Sequence, residues 1–141
     1  MKKELYHVPG KVIGHYHAEI HTIIDTWESL LISLDDWRST IYDIGIVDFA
    51  PKNSVKAWII DTSKSQGVFK LEVQEFREQV ARPKLAENGV KHLFVVLPAT
   101  ALGKLSAKKT ARLYGGQSTM KSHHVASVAE AIDILKTEGV I

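Results

Sequence analysis

The chain has 141 residues, 45% of them hydrophobic and 24% charged, with a net charge of +2. That is the composition of one ordinary globular domain, with enough chain to bury a core and too little net charge to imply nucleic acid as a partner. The absence of cysteine excludes disulfides, thiolate zinc sites and thiol nucleophiles and agrees with a reducing cytoplasm. No apolar run approaches about 18 residues, and Met1-Lys2-Lys3-Glu4 leads into mixed sequence instead of a leader's apolar core, so a cytoplasmic protein without a membrane span is expected.

Leu5 to His17 has strand-like composition broken by the turn pair Pro9-Gly10, which predicts a short strand, a turn and a second extended piece over Val12 to His17. Ile20 to Trp27 is a further apolar, β-branched strand, and Ala18-Glu19-Ile20 has the length of a hairpin loop. Ser33 then reads as a helix N-cap, with Asp35 and Asp36 in the first turn, where the helix dipole favours negative charge. Leu34, Trp37, Ile41 and Ile44 fall at helical spacing and predict the buried face. Gly45 weakens this helix by up to about 1 kcal/mol relative to Ala, and Pro51 is expected to end it.

The stretch from Val55 to Pro98 organises the chain. An apolar strand, Val55 to Ile60, ends at the polar loop Asp61-Thr62-Ser63-Lys64-Ser65-Gln66-Gly67; an amphipathic helix over Glu72 to Ala86 and a second apolar strand over Val90 to Leu97 follow. This strand, helix and strand predict a right-handed parallel crossover. Val73, Phe76 and Val80 form the predicted buried stripe, Pro83 predicts a kink or restart, and Asn88-Gly89 supplies a left-handed stop. Beyond Pro98 come a loop over Ala99 to Leu105, a short helix capped by Ser106 and closed by Gly115-Gly116, and a last strand over Thr119 to Val125. Ser127 with Glu130 is a capping box opening a helix faced by Val128, Ile132 and Leu135. The predicted order is strand, strand, helix, strand, helix, strand, helix, strand, helix. This is an α/β domain whose mixed sheet joins an N-terminal antiparallel pair to β/α crossovers, with helices packed on it.

Several pieces in this order resemble the STAS-like domains, the fold of bacterial anti-sigma-factor antagonists, and more closely their single-domain bacterial members. They are Thr22 to Trp27 as a strand ending in Trp, Trp58-Ile59-Ile60-Asp61 as a central strand ending in Asp, and Arg82-Pro83 with Gly89-Val90-Lys91 before Phe94-Val95-Val96-Leu97-Pro98. Ser127-Val128-Ala129-Glu130-Ala131, opening the final helix, completes the set. The resemblance implies a non-enzymatic regulatory domain that acts through protein contacts or, in some branches, through small-ligand binding, with no cofactor. In the antagonists a serine after the central strand is phosphorylated and controls partner binding. The corresponding region here offers Ser63 and Ser65 but lacks the antagonists' Asp-Ser-Ser-Gly run, so both serines remain candidates.

The candidate binding residues are Asp61, Thr62, Ser63 and Ser65, with Trp58 on the strand before them. The loop lies at the carboxyl end of a parallel strand and before a helix, a position where loops carry function and anions find backbone donors. The bland reading is an ordinary polar βα loop whose hydroxyls serve as turn or cap groups. Trp27, Trp37 and Trp58 read first as core, although Trp27 and Trp58 near strand ends also suit a cleft for a small apolar ligand or a partner's anchor. A protein partner is expected, a second copy of the chain among the candidates, and the alternative is a small-molecule or lipid-binding module.

His15 and His17 share one strand face, and a tight hairpin would bring His21 beside His17, whereas a straight strand would separate those two by roughly 13 Å at about 3.3 Å per residue. With no carboxylate at ligand spacing, solvent-facing histidines are expected and no metal site. His123 and His124 alternate across the last strand, and no nucleophile motif accompanies either. A hydrolase or isomerase built on Asp61 and a histidine is therefore the least favoured reading. Lys104, Lys108, Lys109 and Arg112 read as a solvated helix face without the aromatic interleaving that nucleic-acid binding needs.

Overall fold

In the computed structural model, which describes residues 2–97 and 120–141, six strands form one sheet in the order in which they occur in the chain. β1 (Lys2–Val8), β2 (Val12–His17) and β3 (Thr22–Trp27) are antiparallel neighbours; β3, β4 (Ala57–Asp61), β5 (His92–Val96) and β6 (Lys121–Val125) are parallel. The α/β class and the mixed sheet, with an N-terminal antiparallel pair followed by parallel strands, are as the sequence predicts, and because both connections close tightly the antiparallel front runs through three strands. Pro9-Gly10 forms the first, with Gly10 at φ +75° and the Lys11 amide donating to Val8 O at 2.9 Å, as a turn with proline followed by a left-handed glycine requires. Ala18–Ile20 forms the second as one 3₁₀ turn, with His21 at φ 50°. The predicted loop, helix and basic cluster over Ala99 to Arg112, the Gly115-Gly116 stop and Thr119 lie outside the described residues.

Two long helices cover one face of the sheet. α1 begins at Leu34–Trp37, where Ser33 Oγ accepts from the Asp36 amide at 3.1 Å, widens to π winding over Arg38–Phe49, and ends with an α turn at Ala50–Lys52 that contains Pro51. α2 repeats the device, with Leu71–Phe76 α-helical, Arg77–Ala81 π-wound and Arg82–Glu87 α-helical. The wider winding is direct in the hydrogen bonds: the amide of Ala50 donates to Gly45 O and that of Arg82 to Arg77 O, each five residues back. In α2 the π turn immediately precedes Pro83, the restart that a proline without an N–H imposes.

This winding shifts the predicted stripes. Trp37 and Ile41 are buried as expected, but the next inward positions are Gly45, Ile46 and Ala50, while Ile44 is 38% exposed. In α2 Val73 is buried and Phe76 packs against the core, but Ala81 and Leu85 continue the stripe and Val80 turns outward. Asn88-Gly89 stops α2 as predicted: with Gly89 at φ +91°, its amide donates to Ala86 O and that of Val90 to Leu85 O, both at 3.1 Å.

The opposite face carries a second, smaller core of Ile24, Ala57, Ile59, Phe94, Val96 and Val125 under Ala131 and Leu135 of α3 (Val128–Thr137). Ser127 Oγ accepts from the Glu130 amide at 3.1 Å, and the Glu130 carboxylate accepts from the Ala126 amide at 2.8 Å, one residue beyond the expected capping partner. Among the described residues no helix is long and apolar enough to cross a membrane.

Candidate functional site

The loop after β4 is closed by its own side chains. Asp61 Oδ1 accepts from the Ser63 amide at 3.1 Å and from Ser63 Oγ at 2.6 Å, an aspartate-anchored turn. Thr62 is buried and donates its hydroxyl to Val96 O at 2.6 Å, and Ser65, also buried, donates Oγ to Thr62 O at 2.8 Å. Gln66 ties the loop to the one after β3: its amide donates to Glu28 O at 3.0 Å, and its carbonyl accepts from the Leu30 amide at 2.9 Å. Of the hydroxyls read from the sequence, only that of Ser63 stands at a half-exposed position outside the core. Nor does the loop abut a helix start, since α2 opens at Leu71 behind Lys70, which makes no side-chain cap.

Trp58 does not join these residues. Side chains alternate along a strand, so Trp58 and Ile60 enter the core beneath α1 and α2, whereas Ala57 and Ile59 enter the opposite one. Trp27, Trp37 and Trp58 are all buried, at 2%, 4% and 2% exposure. In place of a surface cleft, Trp58 meets a carboxylate that sequence reasoning missed: its Nε1 donates to Asp25 Oδ2 at 2.8 Å, and Tyr6 donates its hydroxyl to Asp25 Oδ1.

Register builds this contact. Tyr6 on β1 faces Gly14 on β2, which faces Asp25 on β3, so the phenol lies across the glycine to reach the carboxylate. A Cβ at position 14 would collide with Tyr6 Cζ, and one at Gly45 of α1 would lie 2.9 Å from Trp58 Cη2 and 3.2 Å from Tyr6 Cε2. Both glycines are therefore demanded by close approach. The carboxyl is 2% exposed, and burial pushes it up to about 7 even though the Tyr6 and Trp58 donors pull the other way. Burial, followed by the adjacent carboxylate, holds the Tyr6 phenol well above its ordinary range. The signal available in the sequence was an aspartate at an inward position of an apolar strand.

Asp25 and Trp58 form the floor of a small cavity whose roof includes Trp37 of α1 and Ala81 and Arg82 of α2. Arg82 Nη1 donates to Glu78 Oε1 at 3.0 Å, and Arg77 Nε donates to Glu78 Oε2 at 3.2 Å. Arg82 is 4% exposed, and its Nε and Nη2 are buried without a hydrogen-bond partner.

On the other face, His92 Nδ1 and His123 Nε2 approach to 3.1 Å, with the His123 ring stacked on Phe94 at 4.5 Å between centroids. Burial lowers both pKa values, so one shared proton suits the pair. His15 and His17 are half-buried on β2, with His17 Nδ1 3.7 Å from Glu19 Oε1. Among the described residues no three metal-ligating side chains converge. Comparison of the chain with family models, curated proteins and solved structures returns no match.

Proposed function

We propose that this chain is a non-enzymatic, cytoplasmic regulatory domain of STAS-like type that docks a protein partner on the surface at the carboxyl ends of β3 and β4. The observation that carries this reading is the exposure of two large apolar side chains beside a locked loop. Leu31 is 52% exposed yet lies against Gly67, its Cγ 3.0 Å from where a Cβ would stand, and Leu71, at the start of α2, is 67% exposed. Large apolar groups on a rigid frame are the usual anchors of an interface. Ser63 stands on the same loop, where a phosphate would place roughly −1.5 to −2 charge beside Asp61 and disfavour burial against a partner.

The test is affinity capture with tagged wild-type chain, with Leu31→Asp/Leu71→Asp and with Ser63→Glu. Unchanged far-ultraviolet spectra and thermal midpoints together with loss of the wild-type partner are expected for both variants. A partner set identical in all three proteins would refute a docking role for this surface.

A further inference from the structure

The face of the sheet opposite α1 and α2 holds a pair of titratable groups in which the loop surface has no part. Phe94 on β5 is the register partner of His123 on β6, and His92 that of Lys121, so all four side chains lie on the side covered by α3. His92 is 5% exposed and His123 is half-buried. Their rings are within 27° of coplanar, with centroids 5.3 Å apart but His92 Nδ1 only 3.1 Å from His123 Nε2. They therefore meet edge to edge through one N–H···N hydrogen bond. Phe94 lies flat against His123, at 4.5 Å between centroids and 17° between planes, and holds that ring in place.

Such a contact has room for one proton. In the neutral pair one facing nitrogen donates and the other accepts; with one further proton an imidazolium still donates to a neutral ring, and the bond becomes charge-assisted. A second further proton puts an N–H on both facing nitrogens, leaving two donors and two like charges in contact at 3.1 Å. Among the described residues the charged groups that act on the pair are Glu138 at the end of α3, which favours protonation, and Lys121 of β6, which opposes it. These two are bonded to each other at 3.1 Å, so their fields largely offset. β4 and α3 otherwise bring only apolar Ala57, Ile59, Ala131 and Leu135 to this face, and His124 points to the other side of β6. We propose that the His92–His123 contact is a proton-operated latch, which fastens β6 onto β5 while it holds one proton and releases that seam when both facing nitrogens are protonated.

Hydrogen exchange of the full chain between pH 7 and pH 5, corrected for intrinsic rates, tests the latch. The amides of Lys121 and Leu97 bridge the seam to Lys91 O and Val125 O, both at 2.9 Å, while that of Glu28, bonded to Lys11 O at 2.8 Å, reports on the β2–β3 pair. An opening that takes up one more proton becomes about tenfold more populated per pH unit once the pair titrates, so Lys121 and Leu97 should lose about tenfold or more in protection while Glu28 keeps its own. Combining His92→Asn with His123→Gln places carboxamide donors and acceptors where the ring nitrogens stood and removes the titration, so the loss should vanish. Ring-proton NMR of the wild type serves where that variant does not fold: the two rings should titrate in two coupled steps. No loss at the seam, an equal loss at Glu28, a loss that persists in the folded variant, or rings that titrate independently overturns the latch.

Discussion

Replacing Asp25 by Asn isolates the energetic cost of the buried carboxyl. In the native state its pKa stands at about 7, against an ordinary value of 3.8, so between those limits the folded protein holds a proton that the unfolded chain has released. Stability attributable to Asp25 is therefore full at low pH and lost as pH rises through that window, at about 1.4 kcal/mol per pH unit. Over the whole window the loss amounts to about 4 kcal/mol, on the order of a third or more of the stability of a typical domain. Asn is nearly isosteric: its oxygen can accept from Trp58 and its amide can donate to the Tyr6 oxygen, leaving the phenol proton as a pH-independent penalty of about 1 kcal/mol. His92 and His123, lowered by burial, act with the opposite sign, since their contribution is lost as pH falls below the ordinary histidine value. They are common to both proteins, so the difference between wild type and variant removes them. Urea melts from pH 5 to pH 8 should show Asp25→Asn gaining about 2 kcal/mol on the wild type between pH 5 and pH 7, with the curves running nearly parallel above that. Curves that stay parallel throughout would mean that the carboxylate is ionised at pH 5, and the desolvation argument would fail.

Gly14→Ala should displace Tyr6 from Asp25 and cost roughly 2 to 4 kcal/mol in urea melts, combining overpacking with a lost buried hydrogen bond; a cost under about 0.5 kcal/mol would show that the phenol does not cross that glycine. Trp37→Ala should destabilise by roughly 3 to 5 kcal/mol, and a solvent-like cost below about 1 kcal/mol would place the ring outside the core. Ser63→Glu and Ser65→Glu should part company: the first leaves the thermal midpoint almost unchanged, whereas the second buries a charge, breaks the bond to Thr62 O and lowers the midpoint by several degrees. Equal midpoints would contradict the inward placement of Ser65.

What was legible in the sequence was local. Ser33 and Ser127 cap helices, Pro9-Gly10 turns, Asn88-Gly89 stops α2, and the apolar runs form strands, because each of these depends on a few adjacent residues. The stripes failed at Ile44 and Val80 because they assume 3.6 residues per turn, and π winding advances the buried face by a different step. The loop from Asp61 to Gly67 lies where the strand pattern put it, but the inward turn of Thr62 and Ser65 is set by Val96 and Thr62 carbonyls that no spacing rule reveals. Asp25 was visible only as a polar residue in an apolar strand. Its partners arrive from β1 and β4 through the register of four strands, which is information held between segments and not within any one of them.

Strand order equal to chain order has a kinetic consequence. Thr22, Ala57 and His92 are register partners across β3, β4 and β5, so each new strand closes onto its immediate predecessor and no pairing waits for a distant segment. Such topologies confine loop closure to modest spans, which favours rapid folding. During synthesis the sheet can grow one strand at a time, each arriving unit finding a formed edge. Tyr6 and Asp25 come from β1 and β3 and Trp58 from β4, so the buried network draws only on strands that precede β5 and β6 in the chain.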